Sequence, residues 1–337
     1  MRLLAVPLLL CLLGCRDYSR FTLPVLRPEP VTPSFAFRAR QGPVIARGVA
    51  GEWDAVDVLN PAVARRADSY FLLYSGFDGR TWHTGLAVSP DGFSWKKSGR
   101  VLSPDPSTWE GSSIAANGAV LAMGGEFFYW FQAGARENPQ IGLARSPDGR
   151  RWQKHASPVL RNGPRGSFDE RGVADPYVLR AEDGRMYLFY LGQDRARRQR
   201  LGVARSLDGV QWEKSLSGPI LELGEAGAFD ENGLGEPAVW SMLGTYWMLY
   251  TGRDHMENRR LGLARSTDGI HWQKLPGLFE GAEPWNSKVI CDPEVEVHRD
   301  RVRVWFGGGD VASPDENLHG QIGVGELSFL PSGGQRP

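Results

Sequence analysis

The sequence predicts an all-β protein, a single five-bladed β-propeller of four-stranded antiparallel blades. Three recurring patterns within the 337 residues support this prediction. A Ser-x-Asp-Gly-x-x-Trp segment occurs four times, with serines 57, 60 and 60 residues apart, at Ser89, Ser146, Ser206 and Ser266. An aromatic-polar pair followed by a second polar residue seven or eight positions later occurs five times, as does a strand dense in aromatic side chains. Repeats of this length are typical of propeller blades.

The second pattern opens each repeat. Its members, from the aromatic residue to the second polar residue, are Trp53–Asn60, Trp109–Asn117, Phe168–Asp175, Phe229–Glu236 and Trp285–Asp292. All but the second member continue with Pro, and the stretch that follows predicts the innermost strand of each blade.

The next three strands of each repeat follow from the other two patterns. The aromatic-rich strands lie at 70–74, 127–131, 187–190, 246–250 and 302–306. A Gly-Leu-Ala-x-Ser stretch predicts the third strand, the Asp-Gly pair predicts a hairpin turn, and the x-x-Trp segment predicts the fourth strand. A sandwich is the alternative architecture, but five nearly equal repeats fit it poorly.

The fifth repeat ends after its third strand, near Gln321–Leu327. The segment Gly42-Pro43-Val44-Ile45 resembles the segments that leave the fourth strands of other repeats. We therefore expect this N-terminal strand to complete the fifth blade, which would remove an exposed sheet edge.

The first residues indicate export. Arg2 precedes an apolar stretch, Leu3–Leu13, that is too short to span a bilayer and is typical of a signal peptide. It ends in Leu12-Leu13-Gly14-Cys15, which resembles a bacterial lipobox, so Cys15 is the expected lipidation site; an ordinary signal peptide with a chance Cys is the alternative. The predicted organisation is a signal peptide at 1–14, a tether at 15–38, the propeller at 39–330 and a tail at 331–337. The protein would be periplasmic or at the outer cell surface, anchored in a membrane.

The amino-acid composition excludes one class of binding partner and one kind of cross-link. With 39 basic and 39 acidic residues the formal net charge is +0, so the chain lacks the basic surface of a nucleic-acid-binding protein. Cys291 would be the one cysteine left after Cys15 in the mature chain, so no intramolecular disulfide is expected in the domain. We expect the domain to be a monomer.

Residues that begin the innermost strands of a propeller face one another at one mouth of the central channel. This places five side chains in a ring: Asn60, Asn117, Asp175, Glu236 and Asp292. Crowded carboxylates acquire unequal pKa values, and a protonated acid beside an ionised base is the pairing that cleaves glycosidic bonds. Turn formation before Pro is the alternative role for Asp and Asn. Glu caps turns poorly, so Glu236 is harder to explain structurally.

Residues 40–330 resemble the five-bladed propeller glycosidases, glycoside hydrolase families 43 and 32 and their relatives. The resemblance rests on the order of the repeats, Asp175-Pro176 in the third, Glu236-Pro237 in the fourth and the Ser-x-Asp-Gly-x-x-Trp turns. It implies that the partner is an oligosaccharide or glycan, that Asp175 orients this substrate and tunes pKa values, and that Glu236 is the general acid. The family has an Asp as base or nucleophile in the first blade, where this chain has Asn60.

The departure at Asn60 leaves several alternatives open. An amide cannot accept a proton at neutral pH, so Asp57 or Asp54 could supply the base. Otherwise the protein would bind sugar without cleaving it, with Asn60, Asn117, Asp292, Trp53 and Arg253 as candidate substrate-binding residues.

The chain also resembles, more loosely, the mannoside phosphorylases of glycoside hydrolase family 130, in which phosphate replaces the base. The Arg-rich segments 195–200 and 253–260 could hold such an anion. No cofactor is required by this chemistry. A calcium ion in the channel, with His298 or His319 nearby, is a further hypothesis based on the converging carboxylates.

Overall fold

The structure is a computed structural model that describes residues 17–29, 34–299 and 301–330. The regular secondary structure of the described residues is β-strand, apart from one 3-10 turn at Pro284–Asn286. Two strands precede the repeats, β1 (Tyr18–Ser19) and β2 (Ser34–Ala39). No helix among the described residues is long and apolar enough to cross a membrane. The predicted signal peptide, Cys15 and the tail 331–337 lie outside the described residues.

Each repeat forms strands in the predicted order. The first contains β3 (Asp57–Arg66), β4 (Ser69–Phe77), β5 (Trp82–Ser89) and β6 (Lys96–Leu102). The second contains β7 (Ala115–Met123), β8 (Glu126–Ala135), β9 (Asn138–Ser146) and β10 (Gln153–Lys154). The third contains β11 (Gly172–Arg180), β12 (Met186–Gln193), β13 (Gln199–Ser206) and β14 (Glu213–Ser215).

The fourth repeat contains β15 (Gly233–Met242), β16 (Thr245–Arg253), β17 (Arg259–Ser266) and β18 (Gln273–Phe279). The fifth contains β19 (Val289–Val297), β20 (Arg301–Gly309) and β21 (Gln321–Leu330). Within each repeat, consecutive strands pair antiparallel. One parallel pair, Arg259 with Val289, joins the fourth and fifth groups into an eight-stranded sheet.

The N-terminal segment completes the fifth group, but with different residues from those predicted. Strand β2 pairs antiparallel with β21 along Ser34–Ala39, whereas the expected strand at 42–45 contributes only the bridge between Ile45 and Ile322. Gly42 adopts φ +68 and Pro43 has no backbone N–H. Regular pairing with β21 is therefore interrupted between the end of β2 and Ile45.

The described residues of the expected tether, 17–29 and 34–38, are instead part of the domain. Strand β1 pairs parallel with β14, and Leu23 N donates to Asp268 O at 2.8 Å. Phe21 and Leu23 are 8% and 1% exposed and join the core of the third and fourth repeats. Burial of these apolar side chains moves the domain boundary before residue 39 and corrects that prediction.

The Ser-x-Asp-Gly-x-x-Trp turns are structural, as their repetition indicates. In the first, Asp91 Oδ1 accepts hydrogen bonds from Phe93 N and Ser94 N, both at 2.8 Å, and Ser89 Oγ accepts from Gly92 N. Three turn tryptophans pack against aromatic side chains of the preceding or adjoining repeat, in the pairs Trp95–Trp305, Trp212–Trp130 and Trp272–Phe189. Trp152 packs on Tyr129 of its own repeat.

A buried acid–lysine pair stabilises each of the first four repeats. The acid is the polar residue after the opening aromatic, and the lysine lies on the outermost strand, in the pairs Asp54–Lys97, Glu110–Lys154, Asp169–Lys214 and Asp230–Lys274. The three aspartates of these pairs also accept a hydrogen bond from a tyrosine hydroxyl at 3.1 Å, from Tyr74, Tyr190 and Tyr250. The aromatic-polar motif therefore has a structural role in these repeats.

Candidate active site

The first strand of each repeat lies beside the first strand of the next. Strand β3 contacts β7, β7 contacts β11, β11 contacts β15, β15 contacts β19, and β19 returns to β3. The five strands therefore surround a common axis, and equivalent positions along them face the same central region.

The five predicted ring residues occupy equivalent β-bulges in these strands. The pairing register shifts at each one, and φ is positive at all of them: 50° at Asn60, 49° at Asn117, 49° at Asp175, 43° at Glu236 and 51° at Asp292. A bulge redirects a side chain that would otherwise follow the alternation of the strand. Asn and Asp adopt positive φ more readily than Glu, which explains the recurrence of Asn and Asp here.

Hydrogen bonds connect the ring residues. Asn117 Nδ2 donates to Asp175 Oδ1 at 2.6 Å, and Glu236 N donates to Asp175 Oδ2 at 3.4 Å. Asn60 N donates to Asp292 Oδ2 at 3.1 Å. Asp175 and Asp292 are 7% and 4% exposed, so their carboxyl groups interact across a largely desolvated centre.

This desolvated centre shifts the proton equilibria of its carboxyl groups. Burial, followed by the charge of Glu236, raises the pKa of Asp175 well above its usual range. The same two causes raise the pKa of Asp292 to about 7. Glu236 Oε2 is buried and has no hydrogen-bond partner among the described residues. Three carboxyl groups that resist simultaneous ionisation can share protons, as acid-base chemistry requires.

Asp54 does not lie free to act as a base. It is 2% exposed, forms an ion pair with Lys97 at 2.7 Å and accepts a hydrogen bond from Tyr74. Both partners are part of the structural pair described above. The prediction that Asp54 supplies a base is therefore wrong, because its carboxylate is committed to stabilising the first repeat.

Asp57 is likewise committed to the fold. It is fully buried, and its two carboxylate oxygens accept hydrogen bonds from Gly320 N and Asn317 N, each at 2.7 Å. These amides belong to the connection between β20 and β21, more than 250 positions away. Asp57 therefore fixes a loop and is not positioned as the missing base.

The connection at 310–320 forms a capping loop beside the ring. It has eleven residues, whereas the equivalent connections of the other repeats have two to five. Besides its bonds to Asp57, the loop accepts hydrogen bonds at Pro314 O from Arg253 and Arg259, and Glu316 accepts two from Arg136. Residues of the first, second and fourth repeats thus hold a loop of the fifth. Its unusual length was the sequence signal that could have identified it.

Leu318 of the capping loop is fully buried in a cluster with Leu59, Val289 and Cys291. Leu59 and Cys291 directly precede ring residues Asn60 and Asp292. The loop therefore inserts an apolar side chain beside the ring and excludes water from that side.

Two other predicted substrate-binding residues have structural contacts. Trp53 stacks on Tyr74 at 5.6 Å between ring centroids, above Gly76 and Gly85, where a Cβ would collide with the indole. Arg253 donates to Gln199 Oε1 at 2.8 Å as well as to the capping loop. Trp53 thus packs within its repeat, and Arg253 supports the loop at the mouth.

The predicted metal contributors pair with neighbouring acids. His319 Nδ1 lies 2.7 Å from Asp310 Oδ1, and His298 Nε2 lies 3.1 Å from Glu296 Oε2. Within residues 17–29, 34–299 and 301–330, no group of three or more His, Cys, Asp or Glu side chains is arranged to hold a metal ion. The calcium hypothesis therefore has no geometric support in this part of the chain.

A separate groove of about 910 Å³ lies between the N-terminal segment and the third repeat. Tyr18, Arg161, Trp212 and Lys214 contribute to its walls. None of the five ring residues lines it, so it is distinct from the candidate active site.

Comparisons with known proteins agree with this architecture. Residues 68–218 match the model of the glycosyl hydrolases family 32 N-terminal domain. The uncharacterized protein Rv1502 of Mycobacterium tuberculosis is 29% identical over 229 residues, which are 63% of this chain and 75% of that protein.

Three solved structures share the fold. One described as a glycoside hydrolase has a TM-score of 0.69 at 17% identity, over 94% of this chain and 95% of its own. One from a study of mannoside phosphorylases and hydrolases of the GH130 family has a TM-score of 0.68 at 17% identity, over 91% and 96%. A thermostable family-43 glycoside hydrolase has a TM-score of 0.63 at 16% identity, over 87% and 97%. The resemblance to propeller glycosidases is confirmed, and the chain has a glycoside-hydrolase-like propeller fold.

Proposed function

We propose that this protein is a closed five-bladed propeller that hydrolyses glycosidic bonds of an oligosaccharide at its axial ring. The observation that carries the proposal is the group of three carboxyl groups, from Asp175, Glu236 and Asp292, at equivalent bulges around one axis. Mutual repulsion in a desolvated centre favours a mixture of protonated and ionised carboxyls, which glycoside hydrolysis uses.

Glu236 is the general acid in this proposal. The oxygen Glu236 Oε2 is buried and has no hydrogen-bond partner among the described residues, so no described contact competes with the leaving oxygen of a glycan for it. Asp175 accepts hydrogen bonds on both oxygens, one of them from the backbone of Glu236 itself. Asp175 can therefore orient the acid and, because its own proton equilibrium is coupled to that of Glu236, tune proton transfer from it.

A binding protein without catalysis is the second candidate function. Asn60 favours it, because the first repeat presents an amide to the ring while Asp54 and Asp57 are engaged elsewhere. Phosphorolysis has less support, because the arginines expected to hold phosphate already have partners in the protein. Arg195, Arg198, Arg200, Arg253 and Arg260 pair with carboxylates, and Arg259 donates to carbonyl groups.

A glycan panel separates these functions. We expect released sugar from at least one oligosaccharide, at a rate that does not depend on added inorganic phosphate, because water is the proposed nucleophile. Product analysis by chromatography is paired with calorimetric titration of each glycan. Heat release on binding with no product would instead support the binding protein, and turnover only with phosphate would support a phosphorylase.

We also propose that the protein is exported and anchored by lipid on Cys15. The support is the lipobox-like Leu12-Leu13-Gly14-Cys15 after a short apolar stretch. Metabolic labelling with a radioactive fatty acid is expected to mark the wild-type protein and to leave Cys15→Ser unmarked. Equal labelling of both proteins would contradict the assignment.

A further inference from the structure

Asp292 is the third carboxyl group of the ring. The roles proposed for Glu236 and Asp175 leave it without a function. It lies on β19, next to the first strand of the first repeat, and its Oδ2 accepts a hydrogen bond from Asn60 N at 3.1 Å. The carboxyl group of Asp292 therefore contacts the backbone of Asn60, the ring residue of the first repeat, which has an amide in place of a carboxylate.

We propose that Asp292 supplies the second carboxylate of the catalytic pair, acting as the general base that partners Glu236. The proposal rests on the proposed hydrolytic function and identifies the base of the same site. It explains how the ring can retain a proton acceptor although Asn60 provides none.

The other nearby aspartates are less available. Both oxygens of Asp175 accept hydrogen bonds, from Asn117 Nδ2 and Glu236 N. Asp54 and Asp57 are bound to Lys97 and to the capping loop. The described hydrogen bonds to Asp292 come from Asn60 N and from Cys291 Sγ, both at 3.1 Å and both to Oδ2. Oδ1 is thus left without a donor among the described residues and can accept a proton from water.

The surroundings of Asp292 suit a base that works near neutral pH. Burial, and after it the charge of Glu236, raise its pKa to about 7, while Cys291, the buried guanidinium of Arg259 and the Asn60 amide oppose the rise. Burial is the larger cause, and it still raises the pKa when Glu236 carries the proton that the step requires. The charge of Asp292 in turn contributes to the raised pKa of Asp175. A base is most effective when its pKa is close to the working pH.

The step balances as a single displacement. A water molecule gives one proton to Asp292 as its oxygen bonds to the anomeric carbon, and the bond from that carbon to the glycosidic oxygen breaks. Glu236 gives its proton to the leaving oxygen. The net change is addition of water across the glycosidic bond, and exchange with solvent restores the protonated Glu236 and the ionised Asp292.

The principal test replaces Asp292 by Asn, which keeps the shape and removes the proton acceptor. We expect kcat to fall by about 10²–10⁴-fold while KM changes little, because the group acts in the transition state. Added azide is an anionic nucleophile that needs no base, so the variant should form glycosyl azide. Asp68→Asn is the matched control, because Asp68 is an exposed carboxylate in the turn between β3 and β4, outside the ring and the capping loop, and its loss should leave kcat unchanged.

The pH profile of the wild-type enzyme is a measurement that does not depend on the variant folding. A base must be ionised, so kcat should rise with pH through the raised pKa of Asp292, which lies between 3.8 and about 7 when Glu236 is protonated. Asp292→Asn should lose this acidic limb. A wild-type profile with no acidic limb between these values, or a folded Asp292→Asn protein with full kcat, would overturn the role of Asp292 and leave the hydrolytic function standing. A wild type that cleaves no glycan would overturn both.

Discussion

Replacing Glu236 by Gln is expected to lower kcat for glycan hydrolysis by about 10²–10⁴-fold, the usual contribution of a positioned acid. The amide has nearly the shape of the carboxyl group but cannot give a proton to the leaving oxygen. Since Glu236 Oε2 has no hydrogen-bond partner among the described residues, the substitution breaks no described side-chain bond at that atom. Steady-state kinetics would measure the fall in kcat, and calorimetric titration would show that the variant still binds the glycan.

The matched control for this variant is Glu225→Gln. Glu225 is an exposed residue of the connection that leads into the fourth repeat, outside the ring, and the same chemical change there should leave kcat unchanged. A substrate with a leaving group that needs no proton gives a further check, because it should recover much of the rate in Glu236→Gln. Full hydrolysis of an ordinary glycan by that variant would exclude Glu236 as the acid.

Replacing Lys214 by Ala is expected to lower the free energy of unfolding by about 3–5 kcal/mol, the usual cost of removing one partner of a buried ion pair. The side chains of Lys214 and Asp169 are 6% and 1% exposed, so water cannot readily replace the ammonium group. The variant also loses a hydrogen bond from Lys214 to Arg161 O. Urea denaturation followed by tryptophan fluorescence would measure the change.

Lys97→Ala provides a matched control in the first repeat. Lys97 forms the equivalent pair with Asp54, but its side chain is 33% exposed, so water can reach the vacated position. We expect a smaller loss of unfolding free energy there. Equal losses in the two variants would show that burial does not determine the strength of these pairs.

The order of the strands could be predicted because each repeat carries its own local signals. Asp-Gly turns, aromatic strands and the residues before Pro recur at nearly constant spacing, and local patterns of this kind survive in the folded protein. The N-terminal segment is predicted as a tether because its residues show no repeat and no strand-like alternation. Phe21 and Leu23 become part of the core only through residues far along the chain. The ring of Phe21 lies 6.1 Å from that of Tyr187, and both residues share a cluster with Ile270.

The ring positions could also be predicted, but the roles of the nearby acids could not. Asp54 and Asp57 lie within six residues of Asn60, yet the partners that occupy them are Lys97 and the capping loop. One overlooked signal was present in the sequence. A lysine stands two residues after the tryptophan of every Ser-x-Asp-Gly-x-x-Trp turn, at Lys97, Lys154, Lys214 and Lys274. That regularity indicates a common buried partner.

The left-handed backbone conformation at the five bulges has a consequence for how propellers of this kind evolve. Asn and Asp tolerate this conformation, whereas most other L-residues pay roughly 1–2 kcal/mol for it, and Glu236 adopts it with φ 43°. Stability alone would therefore favour drift from Glu to Asn or Gly at that one site. A substitution of the proposed acid Glu236 would remove the catalytic group and at the same time stabilise the fold. Related propellers that bind a glycan without cleaving it could therefore evolve readily.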